Sequence, residues 1–387
     1  MHQGIAATAS GTAEYAAKHR ELFYRSFGNG GLVVSEAGFG GYRVDVSVAE
    51  HRQALEHALR SGINLIDTSA NYADGGSERL VGVVLADMIK RGEIDREQVV
   101  VVTKAGYLQG ENLELSRQRK GEGAPFPDLV VFDAELEHCI HPVFLAEQLT
   151  RSLQRMQLTH IDCLLLHNPE YYLKWANHNN IDPEVAQTEY LRRIETAFRY
   201  LESEVKSGRI GCYGISSNTF PKPATDYERT DLSAILALAE AISQQHHFRV
   251  IEFPCNLFEP GAMVEENQPM NQTLIEFALD NQVTTLINRP LNAIQADQLI
   301  RLADNVYAGE AARQVADFRR RLAGIDPAWS ADTLSRLAIR ALRSTAGIGS
   351  VLVGMRRKEY VEDVLQELRE PCQISNRRQA WEMLAAM

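Results

Sequence analysis

The sequence predicts a (β/α)8 barrel, an α/β fold, and three observations lead there. Short apolar, β-branched runs alternate with amphipathic helical runs along most of the 387 residues. Eight strand candidates of this kind follow one another, the number that closes a parallel TIM barrel. The competing arrangement, an open doubly wound sheet, usually carries GxGxxG after its first strand. GFGGYR does not have that spacing, and no GxxxxGK[ST] phosphate loop occurs.

Residues 1–20 are small and polar and are expected to form a flexible N-terminal arm, with 21–387 as a single barrel domain. Leu22–Phe27 and Leu32–Ser35 flank Gly28-Asn29-Gly30, residues that accept positive φ, so an N-terminal β-hairpin is expected. The barrel strands are predicted at AGFGGYR (37–43), INLID (63–67), VVVVTK (99–104), IDCLLLH (161–167), GCYGISS (211–217), VIEFPCN (250–256), TTLINRP (284–290) and SVLVGM (350–355). Helices are expected to start near Val48, Ser77, Pro142, Thr188, Asp231, Asn271, Ala331 and Glu359. RQALEHALRSG and AEQLTRSLQRMQL repeat apolar residues at three- and four-residue steps, as helices covering a sheet require. Two insertions, at about 106–141 and 291–330, break the alternation after the third and seventh strands. Both are therefore expected as long loops over the C-terminal face, where barrel active sites sit.

Composition narrows the function classes. The net charge of −11 makes nucleic acid and anionic membranes poor partners. No apolar run approaches the length of a membrane span, and the first residues lack the apolar core of a signal peptide. Cys139, Cys163, Cys212, Cys255 and Cys372 are scattered and form no CxxC pair, which fits a reduced, cytoplasmic protein. His138, His141, His160, Cys163 and His167 lack the compact spacing of a zinc site, so no metal is expected. His138 and His141 read as loop or helix-cap residues instead.

The C-terminal strand ends carry the chemistry. Asp67 ends the second strand, with Tyr72 just beyond it; Lys104 ends the third and His167 the fourth. An unpaired ammonium at the end of VVVVT would be costly, so Lys104 requires an anion, and Asp67 on the adjoining strand is the expected one. A lysine cation stabilises phenolate and is expected to lower the Tyr72 pKa from about 10. His167 could hydrogen-bond a substrate oxygen. Together these groups would polarise and protonate a carbonyl as hydride reaches its carbon.

GINLIDTSANYADGGSERLVG, VVTKAG, IDCLLLHNPE, GISSN, NRPL and SVLVGMRRKEYVEDVL occur in this order across roughly residues 22–370. In these motifs the chain resembles the aldo-keto reductase superfamily. The resemblance implies a barrel whose hairpin closes the bottom, and a catalytic tetrad of Asp67, Tyr72, Lys104 and His167. It also implies Tyr72 as acid/base, a nicotinamide cofactor as hydride donor, and no metal. By the same resemblance Ser216, Ser217 and Asn218 fall at a Ser-Asn pair that holds the carboxamide. Glu252 falls where Gln is common, and Asn288 where many members have an aromatic residue. Pro290, Leu291 and Gly354 complete the strand-end contacts, and Asp363 falls at an acidic residue used on adenine. Arg356 and Arg357, with Lys358, lie just before a helix start, a good phosphate site. NADPH is therefore preferred over NADH.

The expected function is NADPH-dependent reduction of a carbonyl substrate, an aldehyde, sugar-derived ones included. The alternatives are the same site run oxidatively on an aldose or alcohol, and a non-catalytic NADP-binding regulatory subunit like the potassium-channel β subunits. The first insertion, with Arg117, Arg119 and Lys120, is expected to cover the site and favour a polar or anionic substrate. Tyr171, Tyr172 and Trp175 either wall the pocket or pack the loop. Glu36 and Glu170 could each serve a polar substrate, although exposed carboxylates are the default.

Overall fold

The structure is a computed structural model that describes residues 6–28, 30–295, 298–302 and 309–387. Asn29 in the hairpin turn, the first five residues and parts of the second insertion lie outside the described residues.

The chain opens with α1 (Ala9–Lys18), a hairpin of β1 (Tyr24–Phe27) and β2 (Leu32–Ser35), then β3 (Ala37–Gly40), α2 (Ala49–Arg60), β4 (Leu65–Asp67), α3 (Gly76–Lys90) and β5 (Val100–Ala105). The first insertion holds β6 (Tyr107–Leu108), α4 (Gly110–Gly121), β7 (Val130–Val131) and β8 (Glu137–His138). Next come α5 (Pro142–Met156), β9 (Ile161–His167), α6 (Tyr171–His178), α7 (Pro183–Lys206), β10 (Ile210–Ser216), α8 (Leu232–Ile242), β11 (Phe248–Pro254), α9 (Gly261–Val264), α10 (Leu274–Asp280) and β12 (Thr284–Asn288). The second insertion contains β13 (Asn292–Gln295), β14 (Gln298–Arg301) and α11 (Glu310–Ile325); α12 (Leu334–Arg343), β15 (Ser350–Val353), α13 (Lys358–Arg369) and α14 (Arg378–Ala385) complete the chain.

Eight parallel strands close in the order β3-β4-β5-β9-β10-β11-β12-β15, with β15 returning to β3. Each predicted barrel strand is one of them, with some ends differing by one to three residues. The fourth, IDCLLLH, is observed as predicted at Ile161–His167. Helix starts follow their caps. α7 begins at Pro183, ahead of the expected Thr188, because the Asp182 side chain accepts from the Glu184 and Val185 amides. α10 begins at Leu274, after a reciprocal Thr273–Glu276 capping box.

The flexible arm expected over residues 1–20 is corrected for most of its length. Residues 9–18 form α1, capped by Thr8, whose hydroxyl accepts from the Gly11 amide. Tyr15 is buried and its hydroxyl donates to the Leu59 carbonyl, while Thr12 Oγ1 accepts from the Val33 amide at 3.1 Å. The small residues that look like a linker permit close contact: a Cβ on Gly11 would lie 2.5 Å from the Glu97 carbonyl oxygen. The hairpin plugs the barrel bottom, since Phe27 and Val34 pack with the interior residues Leu65, Val100, Leu165 and Val250.

Behind the hairpin, Arg343 is fully buried between Glu36 at 2.6 Å and Glu367 at 2.7 Å, and Arg25 and Arg340 join the same network. Glu36 is therefore a buried structural ion at the bottom end, not an exposed carboxylate and not a substrate contact. At the other end, β6, β8 and β7 form a small antiparallel sheet, and the Asn112 and Gln148 amides exchange hydrogen bonds of 2.9 and 2.8 Å that tie α4 to α5. Among the described residues no helix is long and apolar enough to cross a membrane.

Candidate active site

Parallel strands bring their C-terminal ends to one mouth, which is why residues remote in sequence meet here. β4, β5 and β9 are consecutive neighbours, pairing Asp67 with Val102 and Lys104 with Leu165. Asp67, Lys104 and His167 therefore project from three adjacent strand ends. Tyr72 is carried back over them by the following turn, in which Ala73, Asp74 and Gly75 take positive φ. Gly41 lets the first βα loop approach, since a Cβ there would lie 2.6 Å from the Asp67 carbonyl oxygen.

Lys104 has no exposed surface, and its Nζ lies 2.5 Å from Asp67 Oδ1, 3.2 Å from the Thr68 carbonyl and 3.4 Å from the Tyr72 hydroxyl. A second carboxylate, Glu252, reaches the same ammonium at 3.2 Å from β11. The Tyr72 and His167 rings meet edge to face, with centroids 5.9 Å apart. Ser69 Oγ is 3.0 Å from His167 Nδ1, and His138 Nε2 donates to the His167 carbonyl at 2.7 Å. The structure thus brings the four expected residues together.

The electrostatics differ from the expectation in one respect. Burial pushes the Tyr72 phenol above its ordinary range; Lys104 pulls it down, but Asp67 and Glu252 push it up again. The expected lowering of the phenol pKa is reversed, because burial outweighs the lysine field, which two carboxylates oppose as well. Burial lowers Lys104, yet Asp67 and Glu252 outweigh it and hold the ammonium firmly protonated. Burial, and after it the charge of Glu252, raises the Asp67 carboxyl against the pull of Lys104. Burial, then Lys104 and His138, push the His167 imidazole well below its usual range, so the ring is neutral.

The expected cofactor contacts separate into two groups. Ser216 is buried at the end of β10. Ser217 is turned into packing, with its hydroxyl in hydrogen-bond range of Thr219 and Thr230. Asn218 is exposed, and its backbone amide donates to Glu170, itself buried. Glu252 Oε1 accepts from Asn288 Nδ2 at 2.9 Å and Glu252 Oε2 faces Lys104 Nζ at 3.2 Å, while Asn288 Oδ1 is a buried acceptor without a hydrogen-bond donor. Pro290 is buried and Leu291 half-buried just after β12; Gly354 is exposed after β15, with open space where a Cβ would be. Arg356 is half-buried, and Arg357 is exposed as the residue before α13, 3.4 Å from Glu50. Asp363 is already engaged by Arg336 Nε at 2.7 Å and Ser335 Oγ at 2.8 Å. It lines a cavity of about 500 Å³ together with His57, Arg336 and Lys358. An adenine would have to meet this carboxylate with its existing partners in place.

Sequence reasoning missed the aromatic wall of the mouth. Tyr107 lies 4.6 Å from the His167 ring and 5.2 Å from Tyr171, which also meets Phe132 and stacks on His138. Tyr42 meets Tyr72 at 5.3 Å. Of the three aromatics left open, Tyr171 joins this wall, whereas Tyr172 and Trp175 stack on each other away from it, with Arg193 over Tyr172. The basic residues of the first insertion are used internally: Arg117 donates to the Ala134 carbonyl, Arg119 lies over Phe126, and Lys120 pairs with Glu137. Arg117 and Lys120 keep exposed surface, and Arg119 is half-buried. Among the described residues no cluster of three or more His, Cys, Asp or Glu could hold a metal, and His141 caps α5.

Known proteins share this architecture. The structure resembles the holo form of aldo-keto reductase AKR11C1 from Bacillus halodurans, with a TM-score of 0.60 and 17% identity over 94% of this chain and 96% of that one. An aldo/keto reductase from Klebsiella pneumoniae, solved in complex with NADP and acetate, aligns with a TM-score of 0.55 and 17% identity over 94% and 95% of the two chains. In sequence, the aldo-keto reductase YhdN of Bacillus subtilis is 24% identical over 68% of this chain, and the match spans 60% of that protein's length. L-Galactose dehydrogenase of Arabidopsis thaliana is 27% identical over 51% of this chain, and the match spans 50% of its length. The sequence model described as the Aldo/keto reductase family matches residues 36–239, more than half of the chain and the stretch that holds Asp67, Tyr72, Lys104 and His167; the chain belongs to the aldo/keto reductase family.

Proposed function

We propose that this protein is an NADPH-dependent carbonyl reductase. The observation that carries the reading is the buried Lys104 ammonium, held by Asp67 at 2.5 Å and directed at the Tyr72 hydroxyl at 3.4 Å, with neutral His167 alongside. When bound, a nicotinamide cofactor supplies the hydride. Tyr72 keeps its proton until charge develops on the substrate oxygen, which suits its raised pKa, and then donates it. Lys104 stabilises the phenolate left behind, and Asp67 keeps Lys104 in position. Ser69 Oγ, 3.0 Å from Nδ1, holds the His167 ring in place beside Tyr72, where it can orient the substrate oxygen.

The residues present fit a nicotinamide cofactor. A carboxamide NH2 would satisfy Asn288 Oδ1, a buried acceptor without a hydrogen-bond donor beside Glu252. At the far end, Arg356 and Arg357 beside the α13 N-terminus suit a phosphate, and NADP in the Klebsiella pneumoniae relative supports the choice of dinucleotide. The aromatic wall of Tyr42, Tyr107, Phe132 and Tyr171 suits an apolar or ring-bearing aldehyde better than a small anion. Oxidation of an alcohol by the same residues is the second reading, supported by the L-galactose dehydrogenase relative.

The test is titration of the protein with NADPH and NADH by fluorescence quenching, followed by a panel of aromatic aldehydes and aldoses. NADPH binding with carbonyl-dependent loss of absorbance is expected. Tight NADPH binding with no turnover in either direction would overturn the enzyme reading in favour of a regulatory subunit.

A further inference from the structure

Lys104 is flanked by two carboxylates where one would neutralise it. Asp67 and Glu252 lie 2.5 and 3.2 Å from Nζ, and the three side chains are 5%, 2% and 0% exposed for Asp67, Glu252 and Lys104. With both acids ionised, the cluster carries one negative charge in excess. Its immediate polar neighbours, the Asn288 amide and the Thr68 carbonyl, are neutral and cannot cancel that charge. Glu252 Oε2 is the oxygen that faces the Lys104 ammonium at 3.2 Å, and it has no aligned hydrogen bond there. A buried excess charge of this kind calls for a cation or a proton.

The two forms of a nicotinamide differ in the charge that is lacking here: the oxidised ring is a cation and the reduced ring is neutral. We propose that Glu252 is a charge-positioning residue that makes this site hold the oxidised ring more tightly than the reduced one, and thereby drives hydride out of the ring toward a carbonyl. The inference rests on the reading that a nicotinamide cofactor binds at this mouth. The electron balance is that of carbonyl reduction: the C–H pair of the ring moves to the carbonyl carbon, Tyr72 gives its proton to the oxygen, and the ring is left positive. The side chain that meets this new positive charge is a carboxylate, and a neutral amide would leave it uncompensated.

A proton can occupy the same excess charge. The titratable groups around Glu252 are Asp67, Lys104, Tyr72 and Cys163, with His167 beyond Lys104. Burial and then Glu252 raise the Asp67 carboxyl to about 8. Below that pH Asp67 holds a proton and the preference weakens; above it the full charge is present.

The experiment is a fluorescence titration of wild type, Glu252→Gln and Glu252→Asp with NADP+ and with NADPH at pH 6.5 and 9, read as the ratio Kd(NADPH)/Kd(NADP+). The ratio cancels everything common to the two forms, the 2′-phosphate included. Glu252→Gln should lower the ratio by about tenfold at pH 9, roughly 1.4 kcal/mol, while Glu252→Asp keeps most of it. The wild-type ratio should rise from pH 6.5 to 9, a readout that needs no variant to fold. Ratios that agree within about twofold between wild type and Glu252→Gln at pH 9, or a wild-type ratio that does not change with pH, would overturn the proposal while leaving the cofactor site intact. Binding of neither cofactor would overturn the cofactor reading as well.

Discussion

Lys104→Met keeps the length of the side chain and removes its charge, so it tests the centre of the site by stability as well as by rate. Asp67 loses a partner at 2.5 Å and Glu252 one at 3.2 Å, at a position with no exposed surface. Removing one member of a buried ion pair costs about 3–5 kcal/mol; with two carboxylates orphaned, the upper part of that range is expected at pH 9. Without the ammonium, the Asp67 carboxyl moves further above its unfolded pKa of about 4. A raised folded pKa contributes stability that is fully present below the unfolded value and is lost as pH rises through the folded one. The variant should therefore lose about 1.4 kcal/mol per pH unit while Asp67 still holds its proton, and its deficit against wild type should be smaller at pH 6 than at pH 9. Urea unfolding followed by circular dichroism at both pH values measures this directly. A penalty below about 1 kcal/mol at pH 9, or one independent of pH, would refute the account of Lys104 as the sole counter-ion of two buried acids.

Tyr72→Phe removes only the proton donor, and should lower kcat by about 10²–10⁴-fold with cofactor Kd unchanged; near-normal turnover would mean that another group is the acid. Tyr171→Ala opens the aromatic wall formed with Tyr107 and Phe132, and should raise KM for aromatic aldehydes about tenfold without altering cofactor affinity in a fluorescence titration. Replacing Arg356 and Arg357 together by alanine should raise KM for NADPH about tenfold and leave NADH unaffected, which steady-state kinetics with the two cofactors would check. Arg343→Met leaves Glu36 and Glu367 short of a partner at the opposite end of the barrel, and should cost about 3–5 kcal/mol in urea unfolding with KM unchanged.

The eight strands, most helix starts and the four residues at the centre of the site were legible because they depend on short-range pattern. IDCLLLH is apolar enough to be buried on both faces, and Asp231 and Pro142 mark helix entries by their own chemistry. Once the strands are parallel, residues at their C-terminal ends must share a mouth, so Asp67, Lys104 and His167 could be grouped before any distance was known. α1 was not legible as a packed element, because its anchors are a single tyrosine and the missing Cβ of Gly11, and both matter only against Leu59 and Glu97.

The sequence by itself determined the barrel, the family motifs and the grouping of Asp67, Tyr72, Lys104 and His167, since strand periodicity and strand-end residue type are local properties of the chain. Tertiary structure alone decided how charges and rings are shared. It gave Arg117, Arg119 and Lys120 partners within the first insertion. It sent Tyr171 into the aromatic wall and Tyr172 away from it. It also brought Glu252, from the far side of the barrel, to the ammonium that Asp67 already holds. The physical reason is that an electrostatic balance is a sum over neighbours in space, and across a closed barrel those neighbours come from strands that the chain order keeps far apart.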